Sequence, residues 1–310
     1  MRVATIDIGT NTILLLVAER QRDGSLSAVV DRATITRLGE GVDRTRRFTP
    51  AAVARTCACI EEYSRLVRAL GADRVAVVGT SAMRDVGGGQ EVRDCVSKAL
   101  GLEAHVVSGT EEARLAFRGA VSGLAIDPQE ETVVFDIGGG STEVVLGRNE
   151  KGLLSIGYIE SFELGSVRLT ERFLAHDPPA ESELDALGRT LAEAFSHVPP
   201  LPGDRAPVGI AGTMTTLASV SIGMAPYDGA RLHGRSLSCE ELRRTVVRLA
   251  SLDLAARRGV LGIEPKRADV IVAGGCIALS LLDHWRSRAV TISDRGVRWG
   301  LAEELAGGEA

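Results

Sequence analysis

The sequence predicts an α/β protein of two similar domains, and three observations carry this prediction. Strand-like runs rich in β-branched residues alternate with amphipathic helical runs. The length of 310 residues suits two domains of about 150 residues each. An aspartate followed by a glycine-bearing turn, with an apolar run on either side, occurs twice at a spacing of about 130 residues, which indicates a repeated supersecondary unit.

Each glycine-bearing turn is predicted to join two strands and to bind an anion. Consecutive glycines let backbone N–H groups crowd around an anion, whereas a plain glycine-rich β-turn is the alternative. Carboxylates cannot hold phosphate themselves, so acids at the ends of a turn imply a divalent cation between carboxylate and phosphate. The acids are Asp7 in the first copy and Asp136 and Glu143 in the second. The anion-binding candidates are Gly9, Thr10 and Asn11 in the first copy and Gly138, Gly139, Gly140 and Ser141 in the second.

The first predicted domain covers residues 1–123. A strand at 26–35 leads to a glycine-containing loop and the basic run 44–47, which is either a solvated loop or a grip for an anionic chain. Thr49 and Pro50 begin a helix that Gly71 ends.

Strand 75–78 then runs into a Gly-Thr-Ser turn that indicates the edge of a phosphate site. Its members are Thr80 and Ser81, and Arg84 follows them. A surface pair of Arg84 with Asp85 is the alternative.

Two adjacent glutamates begin the last helix of this domain, after a helix at 90–100 and a strand at 104–107. Ser108 followed by Glu111 and Glu112 is also a capping signature, so one glutamate is expected at the cap. Neighbouring helical residues point about 100° apart, so the other glutamate can face a cleft. A carboxylate on a first helical turn tends to a lowered pKa, and Glu112 is therefore expected to be ionised at neutral pH.

The second predicted domain covers residues 124–300. The hinge between the two domains is predicted at 123–129, around the start of this domain. Arg168 either faces the predicted cleft or lies on the surface. Gly212 and Thr213 occupy a further strand-to-helix turn that is a phosphate-site candidate. The remaining predicted elements are strand 153–162, a helix that starts at 165–166, helix 182–196, an amphipathic segment at 237–250, a strand and turn at 270–275, strand 290–293, a turn at 294–300 and a helix at 301–305.

Composition excludes several other classes of protein. The formal net charge of −5 gives no indication of a nucleic-acid partner. No run of 18 apolar residues and no signal sequence are present, so no membrane span and a cytoplasmic location are expected. The five cysteines are scattered, and reduced, mostly buried thiols are expected. The five histidines form no ligand set or catalytic triad.

The two turns resemble the phosphate loops of the actin, sugar-kinase and Hsp70 superfamily, and more narrowly the exopolyphosphatase and guanosine-pentaphosphatase (Ppx/GppA) family. Further segments similar to that family are 79–85, 108–114, 164–171 and 294–300. The resemblance implies two ribonuclease-H-like domains with an interdomain active-site cleft. It also implies that helix 301–310 packs back on the first domain.

The resemblance implies an exopolyphosphatase that hydrolyses a terminal phosphoanhydride. Asp136 and Glu143 would hold Mg²⁺ or Mn²⁺ with Asp7 close by, Arg84 would bind phosphate, and Glu112 would activate water. A homodimer is expected. The chain lacks the C-terminal helical module of longer members, so short polyphosphates are the expected substrates and guanosine pentaphosphate is an alternative. An actin-fold kinase and a non-enzymatic nucleotide sensor are the rival interpretations.

Overall fold

A computed structural model gives the structure of the protein and describes residues 1–150 and 152–307. The chain divides into two compact units. The first unit comprises Met1–Gly119 together with the chain from Val297 onwards, and the second comprises Ala120–Gly296. Each unit contains one sheet and its own helices, so the predicted α/β class is confirmed.

The first unit is built on a five-stranded sheet in the order β3-β2-β1-β4-β5. The first three strands are antiparallel neighbours, whereas β4 runs parallel to β1 and β5 parallel to β4. β1 is buried along nearly its whole length, as expected for a strand that helices cover on both faces. The strands are β1 (Arg2–Ile8), β2 (Thr12–Arg20), β3 (Leu26–Ile35), β4 (Arg74–Gly79) and β5 (His105–Val106).

Helices on both faces of this sheet form two apolar clusters. One cluster joins the sheet to α2 and α4 and includes Ile6, Ile60 and Val96. The other joins β1 and β2 to α13 through Val3 and Trp299, among others. The helices are α1 (Val42–Thr45), α2 (Pro50–Ala69), α3 (Ser81–Asp85), α4 (Gln90–Leu100), α5 (Gly109–Val121), which runs into the second unit, and α13 (Val297–Gly307).

The second unit repeats this strand order and adds one edge strand. Its sheet has the order β10-β11-β9-β6-β7-β8, with β6, β7 and β8 antiparallel and β9 and β11 continuing in parallel. The strands are β6 (Thr132–Ile137), β7 (Thr142–Glu150), β8 (Leu153–Phe162), β9 (Val208–Ile210), β10 (Ser236–Ser238) and β11 (Ala289–Ile292). The helices are α6 (Ser166–Phe173), α7 (Glu181–Ala194), α8 (Ala211–Ser221), α9 (Gly229–Leu232), α10 (Cys239–Ala250), α11 (Leu254–Arg258) and α12 (Ile271–His284), with a 3₁₀ turn at Pro265–Arg267.

The prediction of a strand and turn at 270–275 is wrong, because these residues form the start of α12. α12 is buried on nearly all sides, so its sequence has no polar stripe, and a short apolar run cannot distinguish a buried helix from a strand. Gly275 lies against Val246 of α10, where a β-carbon would approach the valine to 2.6 Å. The predicted turn at 294–300 is also shorter than expected, because α13 already begins at Val297.

The expectation that all cysteines are reduced is wrong in this structure. Cys57 of α2 and Cys95 of α4 form a disulfide, with their Cα atoms 5.6 Å apart. No local pattern indicates this pairing, because 38 residues separate the two cysteines and the packing of α2 against α4 brings them together. Cys59, Cys239 and Cys276 are free thiols.

No helix in the part of the chain that the structure describes is long and apolar enough to cross a membrane.

Candidate active site

The hairpin between β6 and β7 places two acids side by side. Asp136 and Glu143 are partners in the antiparallel register, and both are buried. Directly opposed residues have β-carbons about 4.5–5.5 Å apart and share one face of the sheet. The Ser161 hydroxyl donates a hydrogen bond of 2.6 Å to Oε1 of Glu143 and thereby fixes the orientation of that carboxylate.

The carbonyl groups of the glycine turn all bind to α6. Gly138 accepts a hydrogen bond from the Ser166 amide at 2.9 Å, and Gly139 accepts from the Val167 amide at 2.9 Å. The Gly140 carbonyl accepts from Nε of Arg168 at 2.7 Å.

These contacts determine where the amides of the turn point. In a trans peptide the C=O and the following N–H point in opposite directions. The N–H groups of Gly139, Gly140 and Ser141 therefore face away from α6 together. Within the described residues none of the three donates to a protein acceptor. Three amides that face the same way beside two acids suit the binding of an anion with a bound cation.

Arg168 is a buried support of this turn, so the surface interpretation is wrong. Its side chain is 2% exposed and lies beside Glu163 at 3.9 Å as well as on Gly140. Gly165 allows the close approach of α6, because a β-carbon there would overlap the Gly139 carbonyl group. The sequence offered only the start of a helix at this point and no sign that its first arginine turns inwards.

The turn from β9 to α8 lies beside the same hairpin. The Thr213 hydroxyl donates to the carbonyl of Ile137 at 3.2 Å. A β-carbon at Gly212 would overlap the guanidinium of Arg267. No sequence pattern singles out Arg267, because it lies in the 3₁₀ turn more than 50 residues later, among many other arginines. Burial lowers its pKa, which marks a cation enclosed by protein next to this turn.

The first-unit hairpin has the same backbone design and a different set of acids. Thr10 accepts a hydrogen bond from the Gly39 amide at 2.8 Å, and Asn11 accepts from the amides of residues 36 and 37. The Gly9 amide closes the turn on the Thr12 carbonyl at 3.1 Å. Asp7 is paired in register with Leu14, where the second unit has a glutamate. The first unit therefore contributes one acid at this place and the second unit two.

The Gly-Thr-Ser turn lies at the end of β4, next to the first hairpin. The Thr80 amide donates to the Ile8 carbonyl at 3.2 Å, and both Thr80 and Ser81 are buried. Arg84 donates through Nη1 to Oε2 of Glu112 at 2.5 Å and to the Val107 carbonyl at 3.0 Å. The alternative of an Arg84–Asp85 pair is thus wrong.

The two glutamates of α5 have different surroundings. Ser108 caps the helix by accepting from the Glu111 amide at 3.1 Å, and the Glu111 carboxylate lies 3.3 Å from Nε2 of His105 at the surface. Glu112 is buried against Arg84.

The expectation of a lowered pKa for Glu112 is wrong. Burial raises the pKa of this carboxyl, although Arg84 and the Thr80 hydroxyl act in the opposite direction. A base with a raised pKa lies closer to neutral pH, where general-base catalysis is most efficient.

The acids of the second unit fit a divalent cation. In the described residues no three His, Cys, Asp or Glu side chains are grouped to hold a metal ion. Mg²⁺ needs fewer protein side chains than that, since it is commonly bound through one or two carboxylates together with waters and substrate phosphates. Asp136 and Glu143 supply two buried carboxylates in register.

Two ribonuclease-H-like sheets of matching strand order, each with an acid-bearing hairpin, define a protein of the actin-like ATPase superfamily. The model of the Ppx/GppA phosphatase family matches residues 17–307. The chain belongs to this family, whose members are hydrolases. This membership argues against the rival interpretations as a kinase and as a non-enzymatic sensor.

Individual relatives match over nearly their whole length. Exopolyphosphatase 2 of Mycobacterium tuberculosis is 40% identical, with 99% of this chain and 99% of that protein covered. The crystal structure of the Aquifex aeolicus member of the Ppx/GppA family is 32% identical, with a TM-score of 0.83 and coverage of 100% and 99%. An exopolyphosphatase structure from Cytophaga hutchinsonii is 26% identical, with a TM-score of 0.87 and coverage of 100% and 99%.

Proposed function

We propose that this hydrolase is an exopolyphosphatase that releases orthophosphate from the end of inorganic polyphosphate. The observation that carries the proposal is the set of three amides that face away from α6 beside Asp136 and Glu143. It offers hydrogen-bond donors for phosphate oxygens and carboxylates for the cation that accompanies them. The names of the relatives, which act on polyphosphate, support the same substrate.

The two acids of the second unit would hold Mg²⁺ or Mn²⁺. When bound, such an ion supplies neutralisation of the phosphate charge that develops as the phosphoanhydride breaks. Asp136 and Glu143 bind and orient it, and the amides of Gly139, Gly140 and Ser141 hold phosphate oxygens. Asp7 as a further ligand and the placement of both hairpins at one cleft remain predictions.

Glu112 is the proposed general base. A water molecule attacks the terminal phosphorus, its proton passes to the Glu112 carboxylate, and the bridging P–O bond breaks to release orthophosphate and a chain shorter by one phosphate. Arg84 orients Glu112 through Nη1. Its other donors, Nε and Nη2, make no hydrogen bond in the described residues and are available to a phosphate oxygen.

We propose short polyphosphates as the preferred substrates. The exopolyphosphatase 2 relative aligns over 99% of its own length and thus offers no extra module that could thread a long polymer. Guanosine pentaphosphate is the second candidate, because its terminal phosphoanhydride is chemically equivalent. We further propose a cytoplasmic location and a homodimer. Sedimentation of the purified protein would test the homodimer, and cell fractionation would test the location.

The test measures phosphate release from fractionated polyphosphates, guanosine pentaphosphate and ATP in the presence of Mg²⁺. Chelation should abolish release, and Asp136→Asn should lower turnover and weaken the dependence on Mg²⁺. Asp204→Asn, which changes an exposed aspartate in the same unit, is the control. Full activity in excess chelator would overturn the metal assignment, and release from guanosine pentaphosphate alone would replace the substrate.

A further inference from the structure

An arginine-rich segment lies against both phosphate-site elements of the first unit. This segment, residues 37–47, is called the arginine arm below. Its Gly39 amide binds the Thr10 carbonyl of the hairpin at 2.8 Å. Its Arg46 binds Asp85 of α3, with Nη1 and Oδ1 3.2 Å apart. Asp85 directly follows Arg84, so the arm is tied to the hairpin at one end and to the catalytic arginine's helix at the other.

The arm carries four arginines against two acids, Glu40 and Asp43, on a chain that is acidic as a whole. Arg44, Arg46 and Arg47 are all exposed, against a net charge of −5 for the protein. Within residues 1–150 and 152–307, no carboxylate lies within 4.0 Å of the guanidinium groups of Arg44 and Arg47. Two exposed guanidinium groups that contact no carboxylate of the described residues, only three residues apart in the chain, contribute a local positive potential that attracts anions. A guanidinium also matches the oxygens of phosphate with two parallel hydrogen bonds.

Arg46, the middle one of the three exposed arginines, has an unfavourable backbone conformation. Arg46 ends α1 with φ 53° and ψ 27°, the left-handed conformation that glycine normally occupies at this position. A residue with a β-carbon costs roughly 1–2 kcal/mol there. A strained residue with an exposed charge next to a phosphate site motivates a functional hypothesis.

We propose that Arg44, Arg46 and Arg47 form a second anion subsite. It binds the phosphates of an oligophosphate chain that lie beyond those held at the hairpin and at Arg84. Arg46 stays anchored to Asp85, while Arg44 and Arg47 supply the two guanidinium groups that have no protein carboxylate. Chains long enough to reach the arm therefore bind tightly. Lengthening the chain beyond that point brings no further gain in affinity. This inference rests on the proposed function and adds to it the region of substrate that the arm contacts.

The test compares a double variant with a charge-matched control. Arg44→Gln with Arg47→Gln removes the two arginines, and Arg22→Gln with Arg65→Gln removes two exposed arginines of the same unit away from the arm. Kinetics are measured on tripolyphosphate and on size-fractionated longer polyphosphates. The arm variant should raise KM for the longer chains about tenfold at unchanged kcat, with a much smaller change for tripolyphosphate. Its KM should also depend less on salt, since fewer counterions are exchanged. The control should behave as wild type.

A single variant tests whether a raised KM could arise from a loss of stability and not from the loss of charge. Arg46→Gly removes the charge and relieves the left-handed backbone, so its Tm should equal or exceed that of wild type while KM for longer chains rises. An equal rise of KM for tripolyphosphate and longer chains, or no rise in either variant, would overturn the subsite and leave the proposed function standing. If wild type hydrolyses no polyphosphate, the proposed function fails. The binding of a fluorescently labelled longer polyphosphate then decides: weaker binding by the double variant supports the subsite, and equal binding overturns it.

Discussion

At the scale of single residues, the proposed activation of water depends on the buried pair of Glu112 and Arg84. The pair joins a carboxylate from the start of α5 to a guanidinium from α3, over a sequence separation of 28 residues. A carboxylate that is buried and yet held by a cation stays oriented, and its raised pKa strengthens it as a base.

Glu112→Gln should therefore lose kcat by about 10²–10⁴, the usual contribution of a general base, while KM changes little. Glu111→Gln is the matched control. Among the described residues its carboxylate pairs only with exposed His105, and exposed pairs contribute about 0–1 kcal/mol, so activity and stability should stay near wild type. Steady-state kinetics and thermal unfolding of both variants test this. A dead Glu111→Gln beside an active Glu112→Gln would reverse the assignment.

The pH dependence of kcat should report the same pair. As the proposed base, Glu112 would act only when ionised, so kcat should fall as the pH drops through its pKa. Because burial raises that pKa, the acid limb should lie above the ordinary glutamate value of 4.5. Arg84→Met removes the cation that lowers the pKa of Glu112. The residual kcat of this variant should therefore begin to fall at a higher pH than that of wild type. Arg65→Met is the control and should keep the wild-type pH profile. If the acid side of the profile does not shift in Arg84→Met, a group other than Glu112 titrates.

At the scale of elements, α6 positions the glycine turn. Its first amides and Arg168 bind three successive carbonyl groups, which turns the following amides outwards. This arrangement requires a residue without a side chain at Gly165, where the helix touches the turn.

Gly165→Ala should displace the turn. Its β-carbon would overlap backbone atoms of Gly139 and Gly140, which cannot rotate away as a side chain could. We expect a loss of about 1–3 kcal/mol in unfolding free energy and a raised KM. Gly188→Ala is the control, because a β-carbon there has open space within helix α7 and should stabilise the protein by about 0.5–1 kcal/mol. A wild-type KM for Gly165→Ala would show that the turn does not bind substrate.

The disulfide joins two elements that the sequence left separate. Closing a loop of 38 residues should contribute about 2–4 kcal/mol, so Cys57→Ala with Cys95→Ala should unfold at lower denaturant concentration. Thiol titration of the denatured protein should give three free thiols before reduction and five after it. Cys239→Ala should leave the unfolding midpoint nearly unchanged. Five thiols in the unreduced protein would mean that the pair stays reduced, as the expected cytoplasmic location favours.

Local sequence patterns predicted most of the elements and few of the contacts between them. The strand at 26–35 and the helix at 90–100 have the predicted bounds, because alternation and capping residues are local signals. Residues 270–275 were misassigned because a buried helix lacks a polar face. The roles of Arg168 and Arg267 depend on side-chain packing across large sequence separations, which no local pattern encodes.

At the scale of the whole molecule, two units carry the same strand order with different acids. In the second unit the aspartate of the hairpin faces a glutamate, and in the first it faces Leu14. The first unit instead carries Glu112 and Arg84. Under the proposed function, the second unit would hold the cation, the first unit would activate water, and both would contact phosphate.

The return of α13 to the first sheet has a consequence for protein synthesis. The face of that sheet formed by Val3, Leu16 and Ala18 is covered by Trp299, Ala302 and Ala306, which the ribosome adds nearly 300 residues later. A nascent first unit therefore carries an uncovered apolar face throughout elongation, and it becomes a target for chaperones that bind such surfaces. Ribosome-bound chains that end at Gly296 should crosslink to trigger-factor-type chaperones more strongly than chains that extend far enough for α13 to emerge. Equal crosslinking of the two would mean that the first unit completes its fold without its last helix.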